Sequence, residues 1–265
     1  MQDSFRSTIY HHYYEKGRKL AWRHVKYSYK VLVSEFMLQQ TQVKRVKDYF
    51  PAFIKKFPTF KALAHSKSSE VIKAWSGLGY NRRALFLKKT AEIVSEKFKG
   101  KLPDDIDTLQ SLPGIGHATA CEIAAFAFNK PVIFIETNIR TVFIHFFFKN
   151  KSKVDDKEVI KLVEKTLDKK NPRDWYYALM DYGVMLKQKY PNPNRKSKQY
   201  YKQPKFEGSN RQVRGQILKL LGKKNVSKEE LIRKIDRDSI LTIKILEGLE
   251  REGFVEKKKK RYRIK

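Results

Sequence analysis

The sequence predicts a mainly α-helical protein that ends in a small winged-helix-like domain, on three observations. Apolar residues recur at helical spacing through most of residues 1–189. Two tight connections, Gly77-Leu78-Gly79-Tyr80 and Leu112-Pro113-Gly114-Ile115-Gly116, interrupt that pattern with residues that tolerate or preset unusual backbone angles. After a basic stretch rich in Pro, Asn, Lys and Tyr, residues 209–265 hold three further helical patterns and two short apolar segments.

The elements follow in order. Residues 29–46 are expected as one helix, with Val31, Leu32, Val33, Phe36, Met37 and Val43 as apolar positions and Phe36, Gln40 and Val43 on one face. Phe57-Pro58-Thr59 breaks the chain. Short helices are expected at 60–64 and 69–76 and a longer one at 82–98, ended by Gly100-Lys101-Leu102-Pro103. Helices at 105–111 and 117–128 flank the second tight connection. Lys130-Pro131 interrupts, and 132–135 runs extended into Glu136. Helices follow at 138–148, 155–167 and 174–188. Residues 190–208 read as a basic linker between a domain at 1–189 and a second at 209–265. In the second, 211–221 is amphipathic through Val213, Ile217, Leu220 and Leu221. Ser227 with Glu230 makes a capping box, and 239–250 is a third helix. Phe254-Val255 and Tyr262-Arg263-Ile264 flank a basic turn as two strands.

Lys and Arg total 58 against 28 Asp and Glu, a formal net charge of +30. Solubility asks a small domain for a charge of roughly 2–8, so the excess points to a polyanionic partner. Nucleic acid is the first candidate and an anionic membrane surface the second. The most apolar stretches, such as 142–148, are too short to span a bilayer, and no signal peptide is expected at Met1-Gln2-Asp3-Ser4-Phe5. Cys121 is the one cysteine. It excludes an internal disulfide and a cysteine-ligated zinc or iron–sulfur site, and fits a reducing cytoplasm. His11, His12, His24, His65, His117 and His145 show no metal spacing with carboxylates, so no metal is expected. A cytoplasmic monomer is expected, on the nucleoid if the source is prokaryotic, with no membrane partner.

In Leu112-Pro113-Gly114-Ile115-Gly116, the helix that begins beyond Gly116 offers free N–H groups and a dipole that suit a DNA phosphate. This pattern resembles the helix-hairpin-helix DNA-binding element. The resemblance widens. Leu20-Ala21-Trp22-Arg23, Ser34-Glu35-Phe36-Met37-Leu38-Gln39-Gln40-Thr41-Gln42-Val43, Trp75-Ser76-Gly77-Leu78-Gly79-Tyr80 and Ile135-Glu136-Thr137-Asn138-Ile139-Arg140 accompany the hairpin. Their order and spacing, over roughly residues 8–185, resemble the helix-hairpin-helix (endonuclease III-like) DNA glycosylases, most of all the MutY adenine glycosylases. The resemblance implies a two-lobed helical glycosylase fold with double-stranded DNA crossing a cleft between the lobes. It implies monofunctional hydrolysis of the N-glycosidic bond of a mispaired base in base-excision repair, with adenine opposite 8-oxoguanine or guanine the first substrate.

Glu35 is the first candidate catalytic residue. A carboxylate flanked by apolar residues on a helix gains a raised pKa and becomes a proton donor. The resemblance implies that it protonates the base and later handles water. Glu136 is the second: an anion beside the sugar stabilises oxocarbenium character. The family carries Asp there, and the extra methylene displaces the carboxylate by order 1 Å, enough to matter for alignment. Gln40 and Tyr80 match residues that enter the base stack, and Thr41 follows Gln40 in the same motif. Arg82 and Arg83 are expected on phosphates, together with Leu112, Gly114, Gly116, His117 and Thr119 of the hairpin, and Asn138. Strand-cleaving relatives carry Lys two residues beyond the hairpin's last Gly. Ala118 stands there, so no Schiff base forms and efficient strand cleavage is not expected.

Most members of the family follow the residue matching Gly183 with a four-cysteine iron–sulfur loop. The stretch 187–202 has no cysteine, so no cofactor is expected. Lys187, Lys189, Arg195, Lys196, Lys198 and Lys202 are expected to replace the loop's DNA-facing charge. The winged-helix-like segment stands where MutY ends in a Nudix-like domain. Two alternatives stay open: a same-fold glycosylase for mismatched thymine or a modified pyrimidine, its pocket reshaped by Glu136 and Ala118, and a catalytically inert DNA-binding protein. A transcription regulator led by the winged helix accounts for 209–265 alone.

Overall fold

The computed structural model describes residues 2–25, 27–235 and 237–265. Its elements run α1 (Gln2–Lys16), α2 (Ser28–Leu38), α3 (Val43–Lys56), α4 (Phe60–Ala64), α5 (Ser68–Trp75) and α6 (Arg82–Lys97). Then come α7 (Ile106–Ser111), α8 (His117–Phe128), α9 (Thr137–Phe147), α10 (Asp156–Thr166) and α11 (Pro172–Lys189). The C-terminal stretch adds α12 (Asn210–Leu221), β1 (Val226–Ser227), α13 (Lys228–Lys234), α14 (Ser239–Arg251), β2 (Val255–Lys258) and β3 (Arg261–Ile264). The mainly helical class is thus as expected. α1 was not among the expected elements; Phe5, Ile9, Tyr10 and Tyr13 carry its core-facing stripe, half of it made of tyrosines rather than aliphatic residues.

The chain divides into two compact units, Met1–Glu35 with Pro103–Lys202 and Phe36–Leu102 with Gln203–Lys265. In the first unit, α1, α9 and α11 close around Trp175, Phe143 and Ile9. Short polar residues start its helices: Asp105 accepts from the Thr108 amide at 2.7 Å, and Asp155 makes a capping box with Glu158. Pro172 opens α11, where a missing N–H costs nothing. Gly183 lets α11 approach α9 closely, since a Cβ there would collide with the Asn138 carbonyl. Asp181 accepts from Arg23 at 2.7 and 2.8 Å and from Arg18 at 2.6 Å, which ties the loop before α2 to α11.

Residues 190–208 are expected as a plain linker, yet their first half is structured. Pro193–Lys196 forms a 3-10 turn, and Ser197 bridges Val154 in parallel, with the Val154 amide donating to the Lys196 carbonyl at 2.8 Å. These bonds join residues far apart in sequence, so they leave no local pattern.

The expected helix at 29–46 is two helices, α2 and α3. It breaks at Gln40, whose φ of 53° is left-handed. The carbonyls freed at the end of α2 are taken by Arg83: its guanidinium donates to Phe36 at 2.6 Å, Met37 at 3.0 Å and Gln39 at 2.7 Å. Apolar periodicity cannot register a helix end satisfied from outside the segment.

The C-terminal helices pack on a three-stranded antiparallel sheet of order β1-β3-β2, with Val226 opposite Tyr262 and Val255 opposite Ile264. β1, two residues long, was not expected. Val213, Ile217, Leu246 and Phe254 form the core, and Ile72 of α5 joins it. Of the expected capping box, half is made. Ser227 accepts from the Glu230 amide at 3.2 Å, but the Glu230 carboxylate turns to Lys224 at 2.7 Å and Lys234 at 3.2 Å. Two lysines compete better for that carboxylate than one backbone amide.

Candidate active site

Three carboxylates gather in the first unit. Glu35, in the third turn of α2, is 6% exposed. Among the described residues its one hydrogen-bond contact is weak, with Ser34 Oγ at 3.4 Å, whose single proton is better placed on the Val31 carbonyl at 2.7 Å. Burial is the main force on its acidity. With the nearby Glu136 charge, and against Ser34 and Arg23, it raises Glu35 to about 8. Arg23 gives little relief, because its guanidinium is committed to Asp181.

Glu136 caps α9. Its Oε1 accepts from the Asn138 amide at 2.6 Å and the Ile139 amide at 2.8 Å, and its Oε2 from Asn138 Nδ2 at 3.1 Å. Burial raises its pKa above the usual carboxylate range, and the two amide bonds, Lys187 and Arg140 limit that rise. Of the three carboxylates it has the richest set of donors, so it is the one best placed to be an anion.

Glu122 is the carboxylate that sequence reasoning missed. It lies on α8, on one face with Ala118 and Phe126 by their spacing of four. It is half-buried and has no hydrogen-bond or ion-pair partner among the described residues. Burial first, and then the charges of Glu35 and Glu136, push it well above the usual carboxylate range. The signal was present: a single acid in His117–Phe128, a helix otherwise made mostly of apolar residues. Phe126 stacks on Tyr177 at 4.5 Å, and Arg23 lies over the same tyrosine ring at 4.4 Å.

Lys187 was expected to face DNA. It is half-buried instead, and its Nζ donates to Asn138 Oδ1 at 2.7 Å. Asn138 is therefore engaged on both ends of its amide. The stretch 187–202 does not fit an iron–sulfur cluster: it has no cysteine, Asn194 and Ser197 are buried, and Lys196 Nζ is bonded to the Lys149 carbonyl.

The hairpin lies in the same unit. Leu112 is buried at the end of α7, and Gly114 has a φ of 80°, which favours glycine. Gly116 is different. Its backbone is extended, and a Cβ would meet nothing within 4 Å. No contact among the described residues demands glycine there, and the open space leaves room for a close-approaching group. Gly116, the residue before α8, has no side chain with which to cap it. His117 is exposed, with Nε2 at 3.7 Å from Cys121 Sγ, while Thr119 is buried. Ala118 is exposed and supplies no amine.

The remaining expected residues belong to the second unit. Gln40 is exposed at its left-handed turn. Tyr80 is also left-handed, with a φ of 47°, and its hydroxyl accepts from Arg211 Nη1 at 3.0 Å and from Gln203. Arg82 is exposed and pairs with Glu252 at 3.1 Å. Arg83 departs from expectation. It is 7% exposed, and beyond the α2 carbonyls it donates to Thr41 Oγ1 and the Gly79 carbonyl, each at 3.0 Å. A guanidinium so enclosed binds two turns of its own chain rather than a phosphate.

No group of His, Cys, Asp and Glu able to hold a metal ion occurs among the described residues, and no helix among them is long and apolar enough to cross a membrane.

A family model described as HhH-GPD superfamily base excision DNA repair protein matches residues 33–169. The chain is similar to the adenine DNA glycosylase of Buchnera aphidicola subsp. Baizongia pistaciae (strain Bp), 39% identical over 187 residues, which cover 69% of this chain and 52% of that protein. It is similar to the enzyme of the same description from Homo sapiens, 33% identical over 195 residues, 69% of this chain and 36% of that protein. The chain spans about half the length of the first curated relatives it matches. Among solved structures, a thermostable thymine-DNA glycosylase superposes with a TM-score of 0.64 at 27% identity, covering 69% of this chain and 86% of that one. A trapped endonuclease III–DNA covalent intermediate, at 0.57 and 19%, covers 70% and 87% and shares the fold.

Proposed function

Because the chain belongs to the HhH-GPD superfamily of base excision DNA repair proteins, we propose that it hydrolyses the N-glycosidic bond of a mispaired base in double-stranded DNA, adenine first. The observation that carries this reading is the pairing of Glu35, a buried carboxyl raised to about 8, with Glu136, a carboxylate held by three donors. Adenine departs poorly as an anion, and Glu35 still holds its proton at neutral pH and can give it to the base. As the bond to C1′ breaks, positive charge grows on the sugar, and the Glu136 anion stabilises it. Water then adds at C1′ with Glu35 taking up a proton. Ala118 brings no amine to the hairpin helix, so the product is an intact strand with an abasic site.

The hairpin supports duplex binding. The N-terminus of α8 behind the open Gly116 suits a phosphate oxygen, and the net charge of +30 supplies long-range capture. A second reading, removal of a mispaired thymine, is favoured by the likeness to the thymine-DNA glycosylase.

The test uses labelled duplexes with A opposite 8-oxoguanine, A opposite G, T opposite G and U opposite G, followed by hot alkali. Breakage at adenine that both Glu35→Gln and Glu136→Ala abolish supports adenine hydrolysis. Breakage only at a pyrimidine moves the substrate. None in any duplex, with tight salt-sensitive binding, leaves an inert DNA-binding protein.

A further inference from the structure

We propose that Lys187 is a positioning residue for this reaction: through Asn138 it locks the Glu136 carboxylate in one orientation and lends it positive charge. The inference rests on the glycosylase reading for its consequence, and on the following geometry for its substance.

Glutamate is an unusual helix cap. Ser, Thr, Asp and Asn are preferred because their short side chains reach the first free amides directly. Glu136 must fold back on its own helix and fix an extra torsion, at a cost in side-chain entropy. Its Oε1 is secured by two backbone amides, at 2.6 and 2.8 Å. Its Oε2 depends on Asn138 Nδ2, at 3.1 Å. A carboxamide can rotate by half a turn, and that rotation would set the Asn138 carbonyl oxygen against the carboxylate. Lys187 forbids it. Its ammonium donates to Asn138 Oδ1 at 2.7 Å, so the NH2 end stays toward Glu136.

The fold delivers Lys187 to that point. Gly183 and Lys187 are four apart on α11 and share a face. The close approach at Gly183 brings that face against Asn138. Charge supports the same assignment. Glu136 faces two groups that become like charges when ionised, Glu35 from α2 and Glu122 from α8. Two cations oppose them, Lys187 from α11 and Arg140 from α9. Arg140 is matched by Asp156, with two bonds of 2.6 Å. Lys187 has no carboxylate bonded to it among the described residues, so its charge is the less neutralised of the two.

The experiment compares the unsubstituted 265-residue chain with Lys187→Gln and Lys187→Arg, after thermal melts show that each folds. Single-turnover base excision is followed against pH, and Glu136 is titrated by carboxyl ¹³C NMR, its signal assigned with Glu136→Gln. The expected result for Lys187→Gln is a rate about 10- to 100-fold lower at saturating protein, the cost of a misplaced reacting group. Its acid limb and the Glu136 titration both move to higher pH, because a cation has left an anion. Lys187→Arg keeps both near their original positions. In a Glu136→Asp background the loss from Lys187→Gln shrinks, since the shorter acid caps α9 unaided. An unmoved Glu136 titration in Lys187→Gln overturns the proposal. A chain that excises no base from any duplex defeats the glycosylase reading alone, and the NMR titration still decides the role of Lys187.

Discussion

Glu35 in the first unit and Arg83 in the second are both ionisable side chains sealed from solvent, 6% and 7% exposed. The fold treats them in opposite ways. Arg83 is surrounded by acceptors: the Phe36, Met37, Gln39 and Gly79 carbonyls and Thr41 Oγ1 all lie within 3.0 Å. Burial draws it down only to about 10, and it stays charged at neutral pH. Glu35 has one contact of 3.4 Å among the described residues and keeps its proton. A buried ion with its partners filled is a structural clamp. A buried acid left nearly alone costs stability and gains reactivity, and such costs persist where chemistry needs them.

The largest expected effect separates the two on function. Glu35→Gln should lower single-turnover base excision by about 10²- to 10⁴-fold, the usual contribution of a general acid, with duplex binding kept. Equal excision by the variant would break the comparison. Next comes stability. Arg83→Met should destabilise the chain by about 3 kcal/mol or more, since several buried carbonyls lose a charged donor at once, and urea unfolding measures it. A neutral outcome there would show that the carbonyls find other donors.

The third effect is in pH. Glu35 has a folded pKa near 8 and an ordinary value of 4.5. Between those limits the unfolded chain has lost a proton that the folded chain keeps. The stability it contributes is therefore full below about 4.5 and is lost as pH rises toward 8, by up to about 1.4 kcal/mol per pH unit. Thermal midpoints of Glu35→Gln should decline less steeply across that window than those of the unsubstituted chain. Matching slopes would show that Glu35 ionises without hindrance. The smallest effect concerns Tyr80. Tyr80→Phe removes the hydroxyl that Arg211 and Gln203 hold, and should cost about 1 kcal/mol, seen as a lower melting temperature by a few degrees.

Much of the fold was legible because it is local. The helix His117–Phe128 lies where apolar spacing and the hairpin place it, and the break before Phe60 lies at Pro58 and Thr59, with Thr59 capping α4. The candidate acid was legible through the family motif that surrounds it, Ser34 to Val43, and burial among its apolar neighbours on α2 is the main cause of its raised pKa. Glu122 carried the same signature on α8 and was passed over, because no motif drew attention to it. Gln40 was read as a continuing helical position. The helix ends there because a guanidinium from α6 takes its carbonyls.

The sequence by itself determined most of the helices, the glycine-dependent hairpin turn and the identity of the two carboxylates matched to the family. Each is set by neighbouring residues, through periodicity or a backbone angle that few residues adopt. Tertiary structure alone decided what the charged residues do. Arg83 is a clamp because Phe36 lies 47 positions away in sequence and 2.6 Å away in space, and Lys187 sits at Asn138 across 49 positions. Hydrogen bonding and burial act over a few ångströms regardless of chain distance, so the role of a charge follows from which segments the core brings together.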